Sequence, residues 1–216
     1  MRLLAVGSFH GESSADNNLA KFLERGYDVL IMLGDFTERG PESQVDEILP
    51  RVEKAGIRTL AIPGNCDPKR AQEILEKHGI NLHSKSAEID GVTFVGLGGS
   101  NLTPFNTPFE ITEGEIKEEL STLTSSINRN WVLATHAPPY GTSTDLTSSD
   151  IHVGSKSIRE IIEHKQPLVA LCGHVHEARG TDKLGRTIVV NPGPISRGYA
   201  AEVNLGDGVH VELLKL

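Results

Sequence analysis

Three times in its first third, the chain passes from a short apolar run through a polar, glycine-marked signature into a helical pattern. The runs are residues 3–6, 29–33 and 59–62, and the helices are residues 15–25, 43–54 and 69–77. The 29–33 run is apolar throughout, the type of strand that is buried on both faces of a sheet. Such alternation implies right-handed βαβ units and a parallel sheet, so an α/β fold is the first expectation. Leu19, Phe22 and Leu23 share one face of the first helix, with Ser14 as its expected cap and Gly26 as its end. Pro50 is expected to interrupt the second helix, and Gly56 to end it.

The pattern then changes. Residues 87–89 and 92–97 flank Asp90-Gly91, a hairpin signal. Residues 98–112 are rich in Gly, Asn, Thr and Pro and read as a long loop. A helix is expected over 112–127, with Glu113 and Glu115 placed favourably for its dipole. A strand at 131–134 leads into a second long loop, 138–153, which exceeds a mere connector and is therefore expected to be functional. A helix over 155–164 precedes strands at 168–171, 187–190, 199–203 and 209–214, the last two joined through Asp207-Gly208. No repeat, low-complexity tract or linker interrupts the chain. A single domain over residues 1–216 is expected, with two β-sheets and helices on the outer faces.

Composition narrows the function classes. A net charge of −8 argues against stable nucleic acid binding, although it leaves room for a nucleotide-like substrate. The two cysteines, Cys66 and Cys172, suggest no disulfide framework. The opening residues have no signal-peptide profile, and no apolar stretch approaches the ~20 residues of a membrane span. The expected location is cytoplasmic, without membrane association. Oligomeric state is not encoded in any recognisable pattern.

Function is concentrated in five signatures that follow five apolar runs. They are Ser8-Phe9-His10-Gly11, Gly34-Asp35, Gly64-Asn65-Cys66-Asp67, Thr135-His136-Ala137-Pro138-Pro139 and Gly173-His174-Val175-His176. Loops at the carboxyl ends of neighbouring strands converge on one crevice in an open α/β sheet. One Asp, one Asn and four His gathered there are ligands for a divalent metal. Taken singly, Asp35 reads as a loop hydrogen-bonder, Asn65 as a turn residue and His136 as a satisfied histidine. All five in strand-end positions favour one metal site.

In the order and spacing of these motifs the chain resembles the calcineurin-like metallophosphoesterase superfamily over nearly its whole length. The family series is Asp-x-His, Gly-Asp-x-x-Asp/Glu, Gly-Asn-His-Asp/Glu, a lone His, then Gly-His-x-His. Gly-Asn-Cys-Asp places the chain nearest the Icc-related, YfcE-like phosphodiesterase branch. The resemblance implies a four-layer α/β/β/α sandwich of two mixed sheets. It implies that Asp35 bridges two metals, that Asn65, His136 and His174 complete one position, and that His10 and His176 serve the other. It further implies a metal-dependent phosphoesterase, with a phosphodiester as the expected substrate. Mn, Fe, Zn or Ni, one or two per chain, suit such N/O ligands. The expected partner is a small phosphorylated or nucleotide-like substrate.

Two positions depart from the series. Ser8 stands where the family has an Asp ligand, so the His10/His176 metal is expected to bind weakly, with Ser8 or water completing it. Cys66 replaces a His that assists the leaving group, and Asp67 would orient it. Asn65, Cys66, Asp67 and His136 are thus the candidate catalytic residues. These departures motivate a second reading, a degenerate binding or interaction module. An acyl hydrolase built on Ser8 or Cys66 fits poorly, because no Gly-x-Ser-x-Gly elbow surrounds Ser8. Around the site, the helix N-terminus near Ser155 is either a phosphate site or ordinarily capped. His152 either lines the pocket or is a polar loop residue, and Asn191-Pro192-Gly193 either closes the site or is a plain turn. Arg39 is left between a phosphate and a local acid. His78, His83, His164 and His210 have no surrounding motif and are expected on the surface.

Overall fold

In the computed structural model, which describes residues 1–216, the first three apolar runs lie side by side. Strands β1 (Arg2–Val6), β2 (Val29–Met32) and β3 (Arg58–Ala61) are parallel, with Leu4 beside Leu30 and Leu30 beside Thr59. Helices α1 (Ser13–Leu23), α2 (Ser43–Ala55) and α3 (Ala71–Lys77) alternate with them and bury Leu19, Phe22, Leu49 and Leu75 against one face. The hairpin β4 (Lys85–Ile89) and β5 (Val92–Leu97) turns through Asp90 and Gly91, both at positive φ as a tight hairpin turn requires. Helix α4 (Glu113–Leu123), β6 (Trp131–Thr135), helix α5 (Lys156–Lys165) and β7 (Val169–Leu171) follow. Next come β8 (Gly180–Leu184) and β9 (Thr187–Asn191), then β10 (Tyr199–Leu205) and β11 (Val209–Lys215).

Two mixed sheets result. The first has five strands in the order β11-β10-β1-β2-β3, and the second six in the order β4-β5-β6-β7-β9-β8. Leu3, Ile31, Leu33 and Ile62 of the first pack on Phe94, Val132, Val169 and Leu171 of the second. Outside the second sheet, α4 and α5 bury Ile116, Leu120, Ile158 and Ile162 over Trp131 and Leu133. The layers are therefore α/β/β/α, as expected. No helix is long and apolar enough to cross a membrane.

Several local expectations are corrected. Helix α2 runs through Pro50 without interruption. A proline costs about 3 kcal/mol inside a helix. Burial of Val45, Ile48, Leu49 and Val52 outweighs it, at roughly 1.5–3 kcal/mol for each fully buried large side chain. Ser14 lies inside α1 and its hydroxyl donates to Glu12, so it is not the cap. Helix α4 is shorter than expected. Its start is fixed by a capping box between Thr112 and Glu115, and it ends at Leu123. The edge strand β8 was not anticipated, because Gly-Thr-Asp-Lys-Leu lacks an apolar run. His83 is buried rather than on the surface. Its Nδ1 accepts a hydrogen bond from the Gly98 amide at 2.9 Å.

Candidate metal centre

The loops after β1 and β2 are laced together by their backbones. The Ser8 amide donates to the Gly34 carbonyl at 2.9 Å, and the Phe9 and His10 amides both donate to the Asp35 carbonyl at 2.7 and 2.8 Å. Ser8, His10, Asp35 and His174 all have positive φ, between 50° and 68°. For non-glycine residues this conformation costs roughly 1–2 kcal/mol each, and such strain gathers at functional sites. Gly34 and Gly64 pass back to back beneath Asp35. A Cβ at Gly34 would strike the Gly64 backbone, and one at Gly64 would strike the Asp35 carboxylate. Both signatures therefore need glycine where they do.

Asp35, Asn65, His136 and His174 come together as one group. Asn65 Oδ1 lies 2.9 Å from His136 Nε2 and 2.7 Å from His174 Nδ1, and Asp35 Oδ2 lies 3.3 Å from His136 Nε2. The orientation of each group is set from behind. His136 Nδ1 donates to the Leu33 carbonyl at 2.6 Å, which aims Nε2 inward. Asn65 Nδ2 donates to Thr107 Oγ1 at 3.0 Å, which aims the amide oxygen inward, and Thr107 in turn donates to Glu110. Amide oxygen, carboxylate oxygen and imidazole nitrogens thus crowd one point with their lone pairs, an arrangement that a divalent cation satisfies.

The electrostatics agree. Burial alone would raise the Asp35 carboxyl, but the imidazoles of His136, His10 and His174 outweigh it and hold the acid ionised. Burial, helped by His136, pushes His174 down to about 4, and burial with His10 lowers His176. Neutral imidazoles are the form that ligates metal. His136 moves the other way. Burial lowers it, yet the Asp35 carboxylate more than compensates, so positive charge is favoured where Asp35 and His136 meet.

A second group shares Asp35. His10 Nε2 lies 3.0 Å from His176 Nε2 and 3.8 Å from Asp35 Oδ2. Converging atoms of His10, Asp35 and His176, and separately of Asp35, His136 and His174, lie within 4.8 Å of one another. Ser8 is buried at the foot of the first group of loops, and no carboxylate stands in its place. Glu38 approaches His10 from the other side, with Oε2 2.5 Å from Nδ1.

The other expected catalytic residues are placed differently. Asp67 is completely buried, and its two oxygens accept from the Thr37 and Gly64 amides at 2.8 and 2.7 Å. It clasps the β2 and β3 loops and touches no open space. Burial and the neighbouring Asp35 carboxylate push it up to about 7. Asn65 and His136 are equally enclosed and face the ligand cluster, not the solvent. Cys66 is half-buried, and its amide donates to Asp35 Oδ1 at 2.9 Å. Burial, then Asp35 and Glu38, drive its thiol far up, which is the reverse of an activated nucleophile.

The surroundings resolve the open alternatives. The N-terminus of α5 is already taken. The Glu113 carboxylate accepts from the Lys156 and Ser157 amides and from the Ser155 hydroxyl at 2.8–3.0 Å, while Ser155 also caps the helix. No free phosphate site remains there. Arg39 donates to the Phe105 carbonyl at 2.7 Å and so ties its loop to 98–112. Asn191 donates to the Val175 carbonyl at 2.8 Å and braces the Gly173–His176 turn. His152 does line the pocket, a cleft of about 690 Å³ that opens beside His174. Sequence reading places Glu38 on the acid position of the Gly34–Glu38 motif but missed Thr107 and Glu110, near which nothing marks them.

A family model described as metallophosphoesterase, calcineurin superfamily, matches residues 40–215. The match takes in the last three signatures. The uncharacterized protein MJ1162 of Methanocaldococcus jannaschii is 42% identical over 201 residues, covering 91% of this chain and 89% of its own. The UPF0046 protein K07C11.7 of Caenorhabditis elegans is 28% identical over 192 residues, 79% of this chain and 64% of its own. Among solved structures, TT1561 of Thermus thermophilus superposes with a TM-score of 0.73 at 18% identity, over 99% of this chain and 98% of its own. The phosphopantetheinyl hydrolase of Mycobacterium tuberculosis gives 0.59 at 12% identity, over 89% of each chain. At these identities both structures speak for the fold alone.

Proposed function

The chain belongs to the metallophosphoesterase family of the calcineurin superfamily, and on that premise we propose that it hydrolyses a phosphodiester at a paired site for divalent metals. The observation that carries this reading is the position of Asp35. The same carboxylate oxygen faces His136 Nε2 at 3.3 Å and His10 Nε2 at 3.8 Å, so one acid serves both ligand groups. Asn65, His136 and His174 would hold one ion, and His10 and His176 the other. Ions in such a pair lower the pKa of bound water and clamp phosphate oxygens. Ser8 contributes no negative charge to the His10 side, which weakens that position relative to the first.

The protein's own groups prepare the site. The Leu33 carbonyl and Thr107 orient His136 and Asn65, while Asp67 and Gly64 keep the two loops in register. The preference for a diester is supported at two positions near the ligand cluster that offer no free cation. Arg39 is engaged with a backbone carbonyl, and Cys66 offers no charge where an imidazole would stand. A phosphomonoester brings one more negative charge than a diester and gains more from such cations. The N/O ligand set suits Mn, Fe, Zn or Ni. Free Cys66 and Cys172 support a reducing, cytoplasmic setting.

The test is to strip the protein, reload it with Mn, Fe(II), Zn or Ni, count bound ions, and assay bis(p-nitrophenyl) phosphate against p-nitrophenyl phosphate. Metal-stimulated hydrolysis that favours the diester and falls to background in Asp35→Asn is expected. No turnover with any metal would overturn the enzymatic reading in favour of a binding module.

A further inference from the structure

Large apolar side chains are exposed in one place. Leu102 is 65%, Phe105 71%, Tyr140 37% and Ile151 59% exposed, and all four sit on the two long loops, 98–112 and 138–153. Apart from the C-terminal Leu216, no other large apolar residue is so exposed. Between the loops lies the cleft of about 690 Å³, whose wall includes Asn101, Phe105, Tyr140, His152, Lys156 and, at the metal end, His174. This is the size of a pocket for a small organic ligand.

The exposure is not the result of slack loops. Glu110 gathers the Thr103 and Thr107 amides and hydroxyls at 2.6–3.1 Å, and Arg39 holds the Phe105 carbonyl. Asp145 gathers the Gly141, Thr142 and Gly154 amides and His152 Nδ1 at 2.7–3.1 Å. The backbone is anchored so that Phe105 stands in solvent and Tyr140, flanked by His152 and Lys156, keeps part of its ring exposed beside the ligand cluster. Exposed aromatics fixed in this way serve a ligand.

We propose that this cleft receives the nucleoside part of a phosphodiester, its base lying against Phe105 and Tyr140 while the phosphorus sits at the ligand cluster. The inference rests on the phosphodiesterase reading above. Aromatic walls suit either a flat base or a quaternary ammonium group. Lys156 decides between them. Its ammonium enters no ion pair and lies 5.3 Å from the centre of the Tyr140 ring, where it repels a second positive charge, while Tyr140 keeps 37% of its surface exposed for a neutral base. A long acyl chain is a poor match, because Asn101, Thr103, Thr147 and His152 interrupt the apolar wall with polar groups. Of these, Asn101 Oδ1 is buried without a partner in the protein and can accept a hydrogen bond from the edge of a base.

Two esters with the same leaving group test it on the Mn-loaded chain: thymidine 5′-(p-nitrophenyl phosphate) and methyl p-nitrophenyl phosphate. The expected kcat/KM favours the thymidine ester by about tenfold or more, the gain that stacking one base provides. In Phe105→Ala and in Tyr140→Ala the preference falls to about threefold or less, again on the stacking scale. Equal use of both esters by the unaltered protein overturns the cleft assignment and leaves the phosphodiesterase reading standing. If neither ester is hydrolysed, the phosphodiesterase reading fails, and calorimetric titration with thymidine 5′-monophosphate decides the cleft separately. Binding at about the millimolar level that Phe105→Ala abolishes supports the cleft, and absence of binding overturns it.

Discussion

The Nε2 atoms of His10 and His176 face one another at 3.0 Å. Their rings stand at 67° to each other, so both lone pairs reach the same point without stacking. Asp35 is the carboxylate on the Nε2 side of His10, because residue 8 is serine. Ser8→Asp is expected to tighten the weaker of two metal equivalents by about tenfold or more, or ~1.4 kcal/mol. Titration against a chromophoric chelator measures it. An unchanged second equivalent would mean that residue 8 does not face the ion.

Glu38 acts on the same position through His10 Nδ1. Glu38→Gln removes the negative charge beside the ring, and the weaker equivalent is expected to loosen by about tenfold, the low end of the usual effect of such outer partners. Glu38→Asp should recover part of the loss. If chelator competition shows no difference between Glu38→Gln and the unaltered protein, the 2.5 Å approach carries no function.

Glu113 holds three donors at the start of α5, whose cap Ser155 lies 42 residues further along the chain. Glu113→Ala leaves the Lys156 and Ser157 amides without their acceptor and is expected to cost roughly 1–3 kcal/mol of folding stability. Denaturant melts should show the loss while ion counts stay the same. A melt identical to that of the unaltered protein would show that solvent replaces the carboxylate freely.

His83 predicts a pH dependence. Burial lowers its pKa below the ordinary value of 6.5, against a weaker opposing pull from Glu119. The Gly98 amide, the Ser84 hydroxyl and the edge of Phe109 surround the ring, and the amide requires a free lone pair on Nδ1. Below pH 6.5 the unfolded chain takes up a proton that the native ring resists. Stability from this residue is therefore complete above that pH and is lost as pH falls through the lower native value. His83→Gln keeps an acceptor but does not titrate. Its thermal midpoint should decline less than that of the unaltered protein on acidification from neutral pH. Parallel declines would place the acid sensitivity elsewhere.

What was legible in the sequence follows from how local each cause is. The 29–33 run and the Gly-bounded signatures carry their own explanation in adjacent residues, and β2, Gly34 and Asp35 lie where they were expected. Asp90-Gly91 and Thr112 with Glu115 are likewise local. The failures have distant causes. Pro50 is tolerated because four residues of α2 meet a core assembled from other elements. The N-terminus of α5 stays open between a phosphate site and ordinary capping in the sequence because its carboxylate comes from α4. His83 has no motif around it, and only the packing of Phe109 and Gly98 encloses it. β8 is polar and depends on its partner β9 for its existence. The residues that converge at the candidate centre were readable from spacing. Their orienting groups, the Leu33 carbonyl, Thr107 and Glu110, were not, because each meets its ligand only after the chain has folded.

Each ligand group draws on both sheets. His10, Asp35 and Asn65 leave the first, while His136, His174 and His176 leave the second. The distance between donor atoms is thus the spacing of two slabs held apart by Leu33, Ile62, Phe94 and Leu171. Trimming any of these side chains, far from where a phosphate would lie, changes the gauge of the chelate. A smaller side chain in that apolar layer is therefore expected to shift which divalent metal the chain prefers.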